Sequence, residues 1–257
     1  MSDKKLEGAG LRGQVAGKTS LSTVGKAGKG LTYRGYPIEI LSEKAKFEEV
    51  AYLLMYGSLP NKDEYENYSS KLISMRSLPN PILEVLERIP ASAHPMDVMR
   101  TGCSMLGNIE PEGEFSNQQE SADRILATMA SIIVYWYKYS HEGKKVNTSS
   151  DYETIGGHFL SLLHGDEPSE DHIRCLDTSL ILYAEHGFNA STFTARTCAS
   201  TLSDIHSCIT GAIGTLRGPL HGGANEAAME LIEQFSTTEE AKSTVLKMLD
   251  NLSLIHI

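Results

Sequence analysis

A chain of 257 residues can form one large domain with a sizeable core, and 40% hydrophobic residues at a mean hydropathy of −0.22 suit a soluble globular protein. No apolar run reaches the roughly 18 residues that span a bilayer. The balance of 23 Lys and Arg against 33 Asp and Glu, a net charge of −10, argues against nucleic acid as a partner, since phosphate requires clustered cations. It leaves room for an anionic small molecule held by local cations or helix N-termini.

The chain begins with Met1 to Glu7, charged and without an apolar segment behind it, so no signal peptide is expected and the cytoplasm is the expected compartment. Over the first forty residues, Gly8, Gly10, Gly13, Gly17, Gly25, Gly28, Gly30 and Gly35 punctuate short β-type runs such as Thr19–Val24 and Leu31–Tyr33. That pattern predicts small hairpins in a β-rich element over 1–46. From Phe47 the apolar period becomes helical. Val50, Leu53 and Leu54 share a face that ends at Gly57 and Pro60; Asn61 caps a second helix running to Pro79; Pro81 to Ile89 makes a third. Further helices are predicted at 95–107, 118–141, 152–164, 169–186, 191–202, 204–216, 223–234 and 238–249. The fold class is therefore all-α with a small β-rich beginning. Two runs are apolar on all sides, Ile132–Tyr137 and Leu180–Ala184, which predicts central burial or a subunit interface. Cys103, Cys175, Cys198 and Cys208 form no C-x-x-C pair and are expected as buried free thiols.

Two glycine-rich stretches imitate nucleotide loops. Gly13–Thr19 has three residues between its glycines where a P-loop needs four, and Gly25–Gly30 lacks the strand and helix of a dinucleotide fold. The nine histidines contain no H-E-x-x-H arrangement, so no metal site is expected. His141 and His164 stand near glycines at helix ends. Two histidines differ from the others. His186 ends an apolar helix, and Gly187–Thr192 turns from it into the next, gathering imidazole, amide, hydroxyls and free N–H groups into a plausible anion pocket. His221 lies between Arg217-Gly218-Pro219 and Gly222-Gly223-Ala224-Asn225. That tight turn puts the ring at the mouth of a helix, placed to donate a hydrogen bond to a developing oxyanion.

The segments Gly218–Asn225 and Ala184–Ser191 resemble the two histidine motifs of the citrate synthase family. Thr19–Val24, Tyr33–Tyr36, His94–Gly102 and Ile155–Phe159 fit the same family, and the similarity runs from about Gly8 to Asn251. Tyr135–His141 and the glycine-rich beginning are most similar to its 2-methylcitrate synthase branch. The resemblance implies an acyltransferase that condenses propionyl-CoA, or acetyl-CoA in a citrate synthase, with oxaloacetate and water, releasing CoA. It implies no cofactor beyond the thioester substrate, no metal, no nucleic acid, no membrane, and a homodimer. His221 matches the histidine that donates to the thioester oxygen, and His186 one that binds oxaloacetate. Ser191 matches a residue that orients the His221 ring. Tyr183 is expected to line the same pocket and influence the acyl chain; Lys71 and Leu106 fall near positions associated with substrate and CoA contacts, respectively.

The sequence also departs from the family. The Gly-x-Gly-His motif of the second catalytic histidine, and the motifs of the aspartate base and of the carboxylate-binding arginines, do not occur. The expected organisation is a β-rich element at 1–46, a partial helical large domain at 47–221, the start of a small domain at 222–251, the rest of it missing, and a non-native tail at 252–257. Truncation after Asn251 predicts a chain that is catalytically inactive by itself. A homologue that binds a ligand or partner without catalysis is the alternative of another class.

Overall fold

The computed structural model describes residues 17–24 and 30–250. Readings placed on the glycine-rich beginning, on 25–29 and on the tail at 252–257 lie outside the described residues. Twelve α-helices, one short 3-10 helix (Phe115–Asn117) and one two-stranded sheet make up the regular structure of the described residues, so the all-α expectation holds.

The sheet is smaller than a β-rich beginning suggests. Strands β1 (Thr32–Tyr33) and β2 (Tyr36–Pro37) pair antiparallel, and Ser22 bridges to Tyr33. The connecting pair Arg34–Gly35 has positive φ at both residues, 45° and 94°, the requirement of a tight hairpin turn that follows strand twist. Helix α1 (Ile38–Lys44) follows where no helix was expected. Its buried Ile38 and Leu41 share a face, and burial outweighs the weak local signal.

Helices α2 (Phe47–Tyr56) and α3 (Lys62–Ser74) follow the sequence reading closely. Gly57 closes α2 in the left-handed region, and Asn61 caps α3 while Glu64 reaches back to the Asn61 N–H. Then come α4 (Asn80–Leu86), α5 (Pro95–Ile109), α6 (Gln118–Glu142) and α7 (Ile155–His164). Gly143 and Gly165 end α6 and α7 with positive φ, beside His141 and His164 as expected. The remaining helices are α8 (Glu170–Tyr183), α9 (Ala190–Ala199), α10 (Ile205–Leu216), α11 (Gly223–Glu233) and α12 (Thr238–Asp250).

Helix α6 is central, touching α3, α4, α5, α7 and α10. Its Ile132, Val134, Tyr135 and Trp136 are buried as the apolar run predicted, but Ile133 is half-buried and Tyr137 exposed, so the run is not buried on every side. The run in α8 behaves differently: Ile181 is fully buried, but Leu182 and Tyr183 are exposed. One apolar cluster joins β1, α1, α2 and α3 to Ile181, and another joins α4, α5 and α6 to Ile213 of α10. A seam of buried polar groups includes Arg76, which donates to the Ser150 and Tyr152 carbonyls, and His158, whose ring nitrogens lie 2.9 Å and 2.8 Å from the Ser131 and Ser150 hydroxyls. All four cysteines are free, but only Cys103 and Cys208 are buried; Cys198 is half-buried and Cys175 exposed, so burial of all four is corrected.

Candidate active site

A cleft of about 930 Å³ opens between the N-terminus of α5, the α8–α9 turn and the turn that follows α10. His186, Ser191, His221 and Tyr183 all line it, so four of the six residues singled out from sequence converge on one place.

Each is placed by its backbone. Helix α8 stops at Tyr183, three residues before the expected end at His186. The cause lies in the N-terminal hairpin: the hydroxyl of fully buried Tyr33 is within hydrogen-bond reach of the Leu182 and Glu185 carbonyls, at 3.2 and 3.3 Å. Glu185 adds a second tie, its Oε1 accepting from the Ser22 hydroxyl at 3.0 Å and the Gly187 N–H at 2.6 Å. With Gly187 at φ 63°, the chain turns sharply and sets His186 on the cleft wall. Asn189 then caps α9, accepting from the Thr192 N–H at 3.0 Å.

The Ser191 hydroxyl lies 2.7 Å from Asn189 Oδ1 and 2.9 Å from Nε2 of His221. The Ser191 backbone N–H, 3.4 Å from the same Nε2, can only donate. It favours the tautomer with the lone pair on Nε2 and the proton on Nδ1, leaving Nδ1–H as the ring's free donor. The His221 turn is fixed from below: the Gly222 N–H donates to the Leu216 carbonyl at 2.9 Å. A methyl group on Gly222 would stand 2.4 Å from that carbonyl oxygen, so only glycine fits.

Sequence reasoning missed several neighbours. His94 caps α5 through Nδ1, which accepts from the Met96 N–H at 3.1 Å, and its Nε2 approaches Glu226 of α11 at 3.3 Å across the cleft rim. Arg217 brings a cation to the wall, 3.7 Å from Asp97, which also pairs with Arg100. The His94–Gly102 phrase held the signal for the first of these.

Lys71 and Leu106 are not brought to the cleft. Lys71 Nζ pairs with Glu120 and, at 2.7 Å, with the buried Asp123, which also takes the Tyr56 hydroxyl proton at 2.7 Å. Burial opposes the lysine charge, but hydrogen bonds to Asp123 and Glu120 carry its pKa above the usual range. Leu106 is fully buried on the inner face of α5 and has no surface to offer a ligand. Among the described residues no group of three or more His, Cys, Asp or Glu side chains could hold a metal ion, and no helix is long and apolar enough to cross a membrane.

Comparison with known proteins gives the family. The family model "Citrate synthase, C-terminal domain" matches residues 10–255. A 2-methylcitrate synthase of Shewanella oneidensis is 63% identical over 97% of this chain and 67% of its own length. Citrate synthase from Thermotoga maritima superposes with a TM-score of 0.81 at 35% identity, over 95% of this chain and 64% of that one. A ternary complex of carboxymethyl coenzyme A and oxaloacetate with citrate synthase from Thermoplasma acidophilum gives a TM-score of 0.78 at 26% identity, over 86% and 58%. The chain thus spans about two thirds or less of the proteins it matches. With the histidine turns, the helical fold and the matched span in agreement, the chain belongs to the citrate synthase family.

Proposed function

We propose that this chain contributes the substrate cleft of a cytoplasmic, homodimeric 2-methylcitrate synthase. The reaction joins the α-carbon of propionyl-CoA to the keto carbon of oxaloacetate; water then cleaves the thioester and frees CoA. The observation that carries the reading is the His221–Ser191 contact on the wall shared with His186. A thioester α-proton is weakly acidic, so its removal depends on a donor that meets the oxygen as charge develops. Nδ1–H of His221 is that donor, and Ser191 sets the ring's angle. His186 and Arg217 offer hydrogen bonding and positive charge to a dicarboxylate. Tyr183, exposed where it lines the cleft, is the residue this reading assigns to the acyl chain. The reading uses CoA thioester as substrate and needs no metal or prosthetic group.

Preference for the propionyl over the acetyl thioester is supported by 63% identity to a protein named 2-methylcitrate synthase; citrate synthase is the second reading, supported by the Thermotoga and Thermoplasma likenesses. Turnover also requires an acid at the ketone and a base at the α-carbon. No Gly-x-Gly-His motif occurs in these 257 residues, and we expect them to bind without turning over by themselves.

Calorimetric titration of the purified chain with oxaloacetate tests the cleft. Binding that is lost in His186→Ala and kept in Lys71→Met supports the reading; equal binding by all three chains overturns it. Rapid CoA release by the 257-residue chain would overturn the expectation of no turnover.

A further inference from the structure

Helices α9 and α10 run antiparallel and pack more extensively than any other helix pair among the described residues. Their register is fixed by the Thr215 hydroxyl donating to the Thr194 hydroxyl at 2.9 Å, and by Thr194 Cγ2 lying 3.5 Å from where a Gly211 side chain would begin. One helical turn further along α9 stands Cys198, and the same register places it against Cys208 in the first turn of α10. Cys198 and Cys208 therefore face each other across the α9–α10 seam. The turn that folds them together includes Leu202 at φ 62°, a left-handed conformation that a leucine adopts only when its surroundings impose it. Leu202 is 84% exposed, so the constraint comes from the hairpin and not from burial of its side chain.

The two sulfurs differ in access. Cys208 is buried, its Sγ 3.8 Å from the Ser203 carbonyl oxygen, whereas Cys198 is half-buried and reachable from solvent. A third thiol, Cys103, lies on the other side of α10, 3.8 Å from the His206 carbonyl, and is fully buried.

We propose that Cys198 and Cys208 are a redox modification site that closes to an intrahelical-hairpin disulfide when a hydroperoxide reaches Cys198. The peroxide transfers one oxygen to Cys198, giving a sulfenic acid and, from hydrogen peroxide, one water. Sγ of Cys208 then attacks the Cys198 sulfur; its thiol proton leaves with the sulfenic hydroxyl as a second water, and the S–S bond forms. Two thiols are oxidised by two electrons and one peroxide is reduced to two waters. Burial holds Cys208 as the thiol, with its pKa raised to about 11, which makes Cys198 the sulfur that meets the oxidant and Cys208 the one that resolves it. The closed bond pins the end of the hairpin opposite Ser191, without using any cleft residue.

The test treats the whole native chain with hydrogen peroxide, alkylates remaining thiols after unfolding, and digests with a protease that cleaves before aspartate. Cleavage before Asp204 separates the two cysteines unless they are bonded. The expected result is a chain lighter by two hydrogens, with peptides carrying Cys198 and Cys208 joined and then released by dithiothreitol. Cys198→Ser should abolish the joined pair, and Cys103→Ala should retain it. Over-oxidation of Cys198 with Cys208 still alkylated, or a bond from either residue to Cys103 or Cys175, would overturn the proposal.

Discussion

The Ser191 hydroxyl sits 2.9 Å from Nε2 of His221 across a separation of thirty residues. The start of one helix is thereby tied to the turn beyond the next. The hydroxyl can give or accept a proton at that nitrogen, whereas the Ser191 backbone N–H at 3.4 Å can only donate to it and so favours a lone pair on Nε2. Nitrogen-15 NMR of the imidazole should show the lone pair on Nε2 and the proton on Nδ1. Ser191→Ala keeps the backbone N–H, so it should leave the fold and the tautomer intact and free the ring to reorient; unchanged ring order in side-chain relaxation would remove Ser191 from its orienting role.

The His186 turn hangs on the N-terminal hairpin through Tyr33, Ser22 and Glu185. Tyr33→Phe removes a buried hydroxyl from two carbonyls and should lower stability by about 1–2 kcal/mol. Hydrogen exchange should quicken selectively over 184–189. Loss spread evenly over the whole chain would argue against a local tie.

Glu48 predicts how stability follows pH. It is fully buried, accepts from the Ile155 N–H at 2.6 Å, and leaves its second oxygen without a partner. Burial, joined by the nearby Asp177 carboxylate, pushes its pKa up to about 7. The folded state holds this proton more tightly than the unfolded chain, so the contribution is intact below about 4.5 and lost as pH rises through about 7. Glu48→Gln should stabilise the protein at pH 8 by on the order of 3 kcal/mol relative to pH 4. A mutational effect independent of pH, read from urea unfolding at both values, would contradict this.

His158 acts in the opposite sense. Burial, with Arg76 adding to it, lowers its pKa to about 3, so the unfolded chain binds a proton between about 3 and 6.5 that the folded chain refuses. Its contribution is full above about 6.5 and declines as pH falls. Proton NMR should find the His158 ring uncharged at pH 4.5; a titration midpoint near 6 would refute its enclosure by Ser131 and Ser150.

Leu106 and Lys71 show where the sequence was legible and where it was not. The histidine turns are local chemistry: a helix end, a glycine that permits the bend, a capping side chain, all within eight residues. They could be read along the chain and proved to share a cleft. The α5 pattern of Val98, Gly102, Cys103 and Leu106 is helical spacing for an inward face, so periodicity argued for a core leucine where family likeness suggested a CoA contact. Leu106→Ala should cost about 2–5 kcal/mol in unfolding free energy, which thermal and urea unfolding will measure. The early end of α8, the α1 helix and the Cys198–Cys208 contact were not readable, because each is set by residues brought together only on folding.

The reaction proposed for this cleft is condensation of a propionyl thioester with oxaloacetate. The most direct measurement joins the chain to the remaining part of the Shewanella oneidensis relative and follows CoA release with oxaloacetate and either acyl-CoA. Turnover with propionyl-CoA is expected at higher kcat/KM than with acetyl-CoA, falling at least about 100-fold in His221→Ala. Turnover unaffected by His221→Ala, or no oxaloacetate-dependent CoA release from a folded protein, would contradict it.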